Sequence, residues 1–325
     1  MFTQKHRKMC IEQVLKAFSL LGSKLEHQTH VHSGSKRKSV EMRTIFHIAT
    51  QKEWNQAQSK GFYETGSLKE EGFIHFSRPH QVIGVTERHF KGCKDLVLLE
   101  IPQEKIQGDL KYEGSETNKF PHLYGPLNLD AVTDTFPFHL SENVFQWPAK
   151  YRMVYDVLIR PGIKSDAAEI ASAHLNAWRE SYQGIVPDSY LNKLPLSFRG
   201  RMKFWEFLFE KASDTTTFVA ESADHGVVGF STVGEPRDDA YKGWGELAAI
   251  YLLNPYKKKG VGQALFEISF EKLKSLGFKK AYCWVLKDNP AVEFYKRSGA
   301  QQGDGQKLIQ LEKELTEIPM EWLSL

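Results

Sequence analysis

The chain has 325 residues, 41% hydrophobic and 26% charged, with a formal net charge of +3. That length accommodates two ordinary domains, and the composition is that of a globular protein rather than a fibrous or low-complexity one. No run approaches the ~20 apolar residues needed to cross a bilayer as a helix, so no membrane partner is expected.

The charge is unevenly placed. Residues 1–44 hold nine of the 43 Lys/Arg and three of the 40 Asp/Glu, leaving 34 against 37 for the remainder. A mildly acidic body gives no basis for nucleic-acid binding. Cys10, Cys93 and Cys283 have neither metal-ligand nor disulfide-framework spacing, which suits a reducing cytoplasm. Residues 1–42 carry Lys5-His6-Arg7-Lys8 and Lys36-Arg37-Lys38, with His27, His30 and His32 between. Glu12, Gln13 and Lys16 interrupt the only apolar stretch, which argues against a signal peptide. The histidines lack a nearby Cys or Asp, so a disordered basic extension is expected and no metal. Met42 is an alternative to Met1 as the translation start.

From residue 43 the pattern becomes structured. Ile45-Phe46-His47-Ile48 reads as a strand, followed by a helix carrying Trp54 and Ala57. Gly72-Phe73-Ile74-His75-Phe76-Ser77 reads as a second strand, 81–90 as a helix and 96–101 as a buried strand. Tyr112-Glu113 follows, then Phe120-Pro121-His122-Leu123-Tyr124-Gly125-Pro126-Leu127, read as a loop. Over 43–148 these segments, above all Gly-Phe-Ile-His-x-Ser and Phe-Pro-His-x-Tyr-Gly-Pro, resemble the domain of unknown function 952 family. The resemblance implies an ADP-ribosyltransferase-like or 2′-phosphotransferase-like fold. It also implies a cleft gathering His47, His75, Ser77, Glu113 and His122 around NAD or ADP-ribose. Satisfied core polar groups would explain each of these residues equally well. Gln146-Trp147-Pro148-Ala149-Lys150 reads as the boundary.

Residues 153–160 alternate as a strand, and Asp166 followed three positions later by Glu169 is a helix-start signature. Ile170, Ala173, Ala177 and Trp178 have helical spacing. A second, aromatic-rich helix is predicted over 196–211. A hairpin is predicted over 216–221 and 227–233, joined by Asp224-His225-Gly226. The run from Leu247 to Leu253 reads as a buried strand ended by Asn254-Pro255, and a helix follows Gly260-Val261-Gly262, ending at Leu276-Gly277. A strand over 279–286, a helix from Asp288-Asn289-Pro290 to Ser298-Gly299, and strands over 306–311 and 315–323 complete the order.

The junction at 253–263 carries the chemistry. Free N–H groups at a helix start, glycines and three lysines favour an anion such as phosphate. Walker spacing is absent, and Leu265 stands where a dinucleotide fingerprint needs a third glycine. Lys257-Lys258-Lys259-Gly260-Val261-Gly262 is similar to the pyrophosphate loop of the GNAT (Gcn5-related) N-acetyltransferases, Gln/Arg-x-x-Gly-x-Gly/Ala. Lysine at its first position keeps the charge and loses a planar donor. The β-α-α-β-β-β-α-β-α-β-β order over 153–325, with Asn289 and Phe294-Tyr295-x-x-x-Gly299, extends the resemblance to this whole half. The expected architecture is therefore α+β in two domains, the second a GNAT fold with a mixed central sheet.

The resemblance implies acetyl-CoA as co-substrate and a primary amine, on a small molecule or a peptide, as acceptor. It places acetyl-CoA against main-chain groups of Ile250, Tyr251 and Leu252, and against Lys257, Lys258, Lys259, Gly260, Val261, Gly262, Gln263 and Asn289. It makes Glu246 a general base and Tyr295 the acid for the departing thiolate. An exposed strand-end carboxylate, an N-cap and a packed aromatic are the plainer readings of Glu246, Asn289 and Tyr295. Trp178, Tyr182 and 184–187 fall where the family forms one wall of the acceptor site, though core packing explains Trp178 equally well. Cys283, inside a strand, is a poor nucleophile. Two further readings stay open: the first domain as the main active unit on ADP-ribosyl or 2′-phosphoryl substrates, and a non-catalytic acetyl-CoA sensor.

Overall fold

The computed structural model describes residues 44–325 apart from 116, 117, 139, 142, 143, 146 and 213. The basic extension, Met42 and Gln146 lie outside the described residues. The chain divides into two compact units. One comprises Ile159–Ala220 and Val227–Leu325; the other runs up to Leu158 and includes Glu221–Gly226.

In the smaller unit, β1 (Thr44–Thr50) pairs antiparallel with β4 (Leu96–Pro102), which pairs with β8 (Asp134–Phe138). Ile45, Ala49, Val97, Leu99 and Ile101 enter one core, while Phe46, Ile48, Leu96, Leu98 and Phe138 enter a second. Burial of both faces explains why β1 and β4 read as nearly continuous apolar runs. α1 (Gln51–Lys60) starts with a reciprocal cap. The Thr50 hydroxyl accepts from the Glu53 N–H, and the Glu53 carboxylate accepts from the Thr50 N–H. α2 (Gly66–Glu70) and α3 (Pro79–His89) follow, and the short strands β2 (Phe62–Tyr63) and β7 (Leu127–Asn128) pair with each other. A second sheet has the order β3 (Ile74–His75), β6 (Asn118–Tyr124), β5 (Asp109–Ser115). The segment expected as a Phe-Pro-His loop is therefore mostly strand. Pro121 lacks a donor but still contributes its carbonyl, which accepts from the Phe76 N–H. β9 (Leu140–Ser141) and β10 (Val144–Phe145) pair antiparallel.

The strand expected over 153–160 breaks at Tyr155, whose φ of 55° is left-handed, giving β11 (Arg152–Val154) and β12 (Val157–Pro161). The larger unit's sheet continues from β12 through β13 (Thr215–Ser222), β14 (Gly226–Gly234), β15 (Gly245–Leu252), β16 (Ala281–Leu286) and β19 (Glu314–Trp322). β17 (Gln301–Gln302) and β18 (Lys307–Gln310) also pair with β19. The helices are α4 (Ala167–Tyr182), α5 (Asp188–Leu191), α6 (Phe198–Lys211), α7 (Val261–Ser275) and α8 (Ala291–Arg297).

The start of α4 differs from the sequence expectation. Asp166 is buried and accepts two bonds from Arg160, at 2.7 and 2.9 Å, and one from the Ile163 N–H. A 3-10 turn over Lys164–Asp166 precedes the helix, and Glu169 accepts instead from the Val227 N–H at 3.0 Å. A buried guanidinium needs a carboxylate more than a helix end does, since its charge cannot be left unpaired.

Candidate active site

The larger unit's sheet opens at one place. β15 and β16 pair in parallel for two positions, Gly245↔Ala281 and Glu246↔Tyr282. Beyond them β16 stays with β19, and β15 stays with β14 as far as Leu252. A register shift between Thr232 and Val233 leaves Ala248 as an extra residue on β15 where the strands part. Leu253 donates its N–H to the Val228 carbonyl. Antiparallel alternation then turns the amides of Tyr251 toward β14 and those of Ile250 and Leu252 toward the opening. Gly229, opposite Leu252, permits the close approach: a Cβ there would lie 2.7 Å from the Tyr251 carbonyl oxygen.

The opening leads to the start of α7. Gly260 takes φ +80°, and Lys258 beside it is also left-handed at φ 60°. Two such residues around Lys259 turn successive N–H groups to one side, and the first N–H groups of α7 have no intrahelical partner. No side chain caps this helix. Lys258 and Lys259 are exposed, whereas Lys257 is half-buried and donates to the Ser181 hydroxyl at 3.3 Å. Partial burial lowers the Lys257 pKa, and the nearby Glu180 carboxylate opposes the shift. The Lys257 side chain thus ties the loop to α4. A Cβ on Gly262 would find its nearest neighbour at 3.8 Å, so the position has room for alanine. Gln263 is exposed and bonds to Glu267, away from the loop. Asn289 lies one residue before the Pro290 N-cap of α8, and its side-chain oxygen accepts from the Ala291 N–H at 2.9 Å, so its NH₂ is the group that could donate to a ligand.

The two faces of the opening differ. On β16, Cys283 faces one side, and Tyr282 and Leu286 face the other. Tyr295 lies on the first side, within hydrogen-bonding reach of the Cys283 thiol. Burial pushes both groups up, so both stay protonated at neutral pH. On the second side Leu286 packs with Trp178, Tyr182 and Tyr251. Trp178 Nε1 donates to the Tyr251 hydroxyl at 3.0 Å, and the Tyr182 and Tyr251 hydroxyls are 3.2 Å apart.

Glu246 is not the free strand-end carboxylate expected of a base. It is buried, and Arg237 holds both its oxygens: Nη2 donates to Oε1 at 2.6 Å, while Nε and the backbone N–H donate to Oε2 at 2.9 Å. A different carboxylate occupies the second face. Glu317 on β19 registers opposite Leu286, so the two side chains share that face. It is 1% exposed, and its Oε1 has no hydrogen-bond partner. Burial raises its pKa to about 7 against the opposing charges of Lys307 and Arg237. The sequence concealed it, because Glu314, Glu317 and Glu321 look alike in a strand buried on both faces.

In the smaller unit the five expected pocket residues separate. His75, Glu113 and His122 share one face of the β3-β6-β5 sheet with Phe73, Lys111 and Tyr124. His122 stacks on Phe73 at 4.1 Å, its Nδ1 is 3.0 Å from Glu113, and the Tyr124 hydroxyl donates to the same carboxylate oxygen at 2.8 Å. His47 does not join them. It is buried, with Nδ1 2.7 Å from the His75 carbonyl and Nε2 2.7 Å from the Tyr63 hydroxyl. Burial lowers its pKa to about 4, so the ring is neutral. Ser77 is also buried, and its backbone bridges to Phe46.

Residues 175–300 match the Acetyltransferase (GNAT) family, and residues 48–135 match Protein of unknown function (DUF952). The uncharacterized N-acetyltransferase YuaI of Bacillus subtilis is 34% identical over 140 residues, covering 43% of this chain and 78% of YuaI. The chain belongs to the GNAT N-acetyltransferase family. Among solved structures, protein CC0527 of Caulobacter crescentus is 35% identical, with 32% of this chain and 93% of that one covered and a TM-score of 0.30. PaiA N-acetyltransferase of Thermoplasma acidophilum, in complex with coenzyme A, is 20% identical, with 51% and 97% covered and a TM-score of 0.41. The family model and the curated relative together make this protein an acetyltransferase with a GNAT-like fold in its C-terminal half, in a mixed α/β chain. Among the described residues, no helix is long and apolar enough to cross a membrane, and no His/Cys/Asp/Glu cluster suits a metal ion.

Proposed function

We propose that this acetyltransferase moves an acetyl group from acetyl-CoA to a primary amine by direct attack, with no acetyl-enzyme intermediate. The observation that carries this reading is the opening between β15 and β16 beside an uncapped helix start with two left-handed loop residues. Unpaired strand amides at Ile250 and Leu252 suit the amide-bearing arm of the co-substrate, and the N–H groups around Gly260 suit its pyrophosphate. Lys258 and Lys259 add charge there, while Lys257 holds the loop to α4. When bound, the co-substrate supplies the activated acyl carbon. Tyr295 stays protonated at neutral pH and donates to the departing sulfur. Cys283 is kept as the thiol by burial, which disfavours a covalent relay through it. The acceptor is an amine on a small molecule or peptide that enters along the face of Trp178, Tyr182 and Tyr251.

Free-thiol release from acetyl-CoA is the test, run with putrescine, kanamycin and a peptide bearing a free amino terminus and a lysine. Release with at least one amine is expected, and a stable acetyl-enzyme by intact mass would overturn direct attack. Tyr295→Phe should lower turnover by about tenfold to a hundredfold with acetyl-CoA affinity unchanged. An unchanged rate removes Tyr295 from the reaction.

A second reading concerns the smaller unit. The face carrying His75, Glu113 and His122 beside Phe73 and Tyr124 offers donors, an acceptor and aromatic surface suited to an NAD- or ADP-ribose-type ligand. Calorimetry of the full chain with NAD, ADP-ribose and 2′-phosphorylated RNA tests it: heat lost in His122→Ala supports it, and no heat with any ligand rejects it.

A further inference from the structure

We propose that Glu317, and not Glu246, is the general base that takes the proton from the acceptor ammonium. The proposal rests on the acetyl-transfer reading above and assigns its proton acceptor. An aliphatic ammonium has a pKa near ~10.4 and cannot attack until it loses a proton, so a buried carboxylate with an open lone pair is needed on the acceptor's side of the sheet.

The charges around Glu317 show why it is the group left open. Lys307 on β18 is 2.6 Å from Asp238 and lies over the Trp284 ring. Arg237 is held in both directions by Glu246 of β15. Glu321, on the same face of β19, accepts from the Tyr241 hydroxyl at 2.7 Å. Each cation thus has a carboxylate of its own, and Glu317 has none. The remaining titratable groups near it are phenols and a thiol: Tyr182 on α4, Tyr251 on β15, and Cys283 on β16. Burial pushes all three up, so none can act as a base near neutral pH.

Glu246 fails on geometry: both its oxygens already accept from Arg237, which leaves none turned to an acceptor amine. That makes it a positioning residue that holds Arg237. Glu317 is not engaged in this way, because its Oε1 has no hydrogen-bond partner. Its acidity near neutrality also matches what an efficient base requires.

The step balances as follows. One ammonium proton passes to Glu317 Oε1 and from there to water. The freed nitrogen pair forms the C–N bond, the C–S bond breaks with its electrons on sulfur, and Tyr295 protonates that sulfur. The second nitrogen proton, shed as the amide forms, restores Tyr295 through solvent. Acid and base thus stand on opposite faces of the sheet at one opening.

The experiment uses the full chain and the amine panel above, with kcat followed from pH 5.5 to 9.5 and acetyl-CoA affinity measured alongside. For wild type, kcat should rise through a limb near pH 7. Glu317→Gln should lower kcat about a hundredfold or more, abolish that limb and leave acetyl-CoA affinity within twofold. Glu317→Asp should retain the limb at reduced kcat, which a merely structural role would not predict. In parallel, glutamate labelled with carbon-13 at the carboxyl should show one resonance titrating near pH 7 that is missing in Glu317→Gln. Wild-type kcat and limb in Glu317→Gln would overturn this proposal alone. No thiol release by wild type with any amine would overturn the transfer reading and this proposal with it.

Discussion

His47 in the smaller unit and Glu317 in the larger are both titratable, both buried, and both well away from their usual pKa values. They differ in what meets their polar atoms. Both ring nitrogens of His47 have partners at 2.7 Å, whereas one oxygen of Glu317 has none. Burial explains both shifts, since it disfavours whichever form is charged. Satisfaction separates a fold-holding group from one kept ready for a proton: a met donor and acceptor pair resists change, and an open lone pair invites it.

Opposite pH dependences should follow, and they are the sharpest way to break this comparison. Glu317 has a folded pKa of about 7 against an unfolded value near 4.5. The fold prefers its protonated form, so its contribution to stability is complete below pH 4.5 and is lost as pH rises through 7. Glu317→Gln should remove that loss, gaining up to about 3 kcal/mol above pH 8 and nothing near pH 4, read by denaturant midpoints. Equal stability of the two proteins at high pH would mean that Glu317 titrates normally.

His47 runs the other way. Its folded pKa of about 4 lies below the usual 6.5, so the contribution is complete above pH 6.5 and is lost as pH falls to 4. Amide exchange across residues 44–50 should accelerate over that interval, reflecting up to about 3 kcal/mol. Unchanged protection down to pH 4 would show that the ring is not held neutral. Smallest is Tyr63→Phe, which removes the partner of His47 Nε2 and should cost about 1–2 kcal/mol. A neutral result would place that hydrogen bond among the exchangeable ones and weaken the contrast with Glu317.

Much of the architecture was legible in the sequence because it is local. Apolar runs marked β1, β4 and β15, and helical spacing marked α4 and α7. Glycines marked the ends of α7 and α8, where Gly277 and Gly299 both take left-handed backbone. The glycine loop was legible for the same reason, since its left-handed turn at Gly260 and its lysines are adjacent in the chain. The expectations that changed were long-range ones. Asp166 reads as a helix cap until Arg160 is seen beside it, and Phe120–Tyr124 reads as a loop until β3 and β5 are seen on either side. The smaller unit's pocket residues were assembled by resemblance, and the pleat sends His47 into the core and His122 to the open face.

The sequence by itself determined which family of chemistry this chain belongs to, because helix starts, glycine turns and strand order are written in neighbouring residues. Only the tertiary structure decided which carboxylate is free. Glu246 and Glu317 are equally plausible acids in the chain, seventy-odd residues apart, and they become unlike only when Arg237 folds onto one of them. An ion pair is set by distances across the sheet, and no spacing along a strand records them.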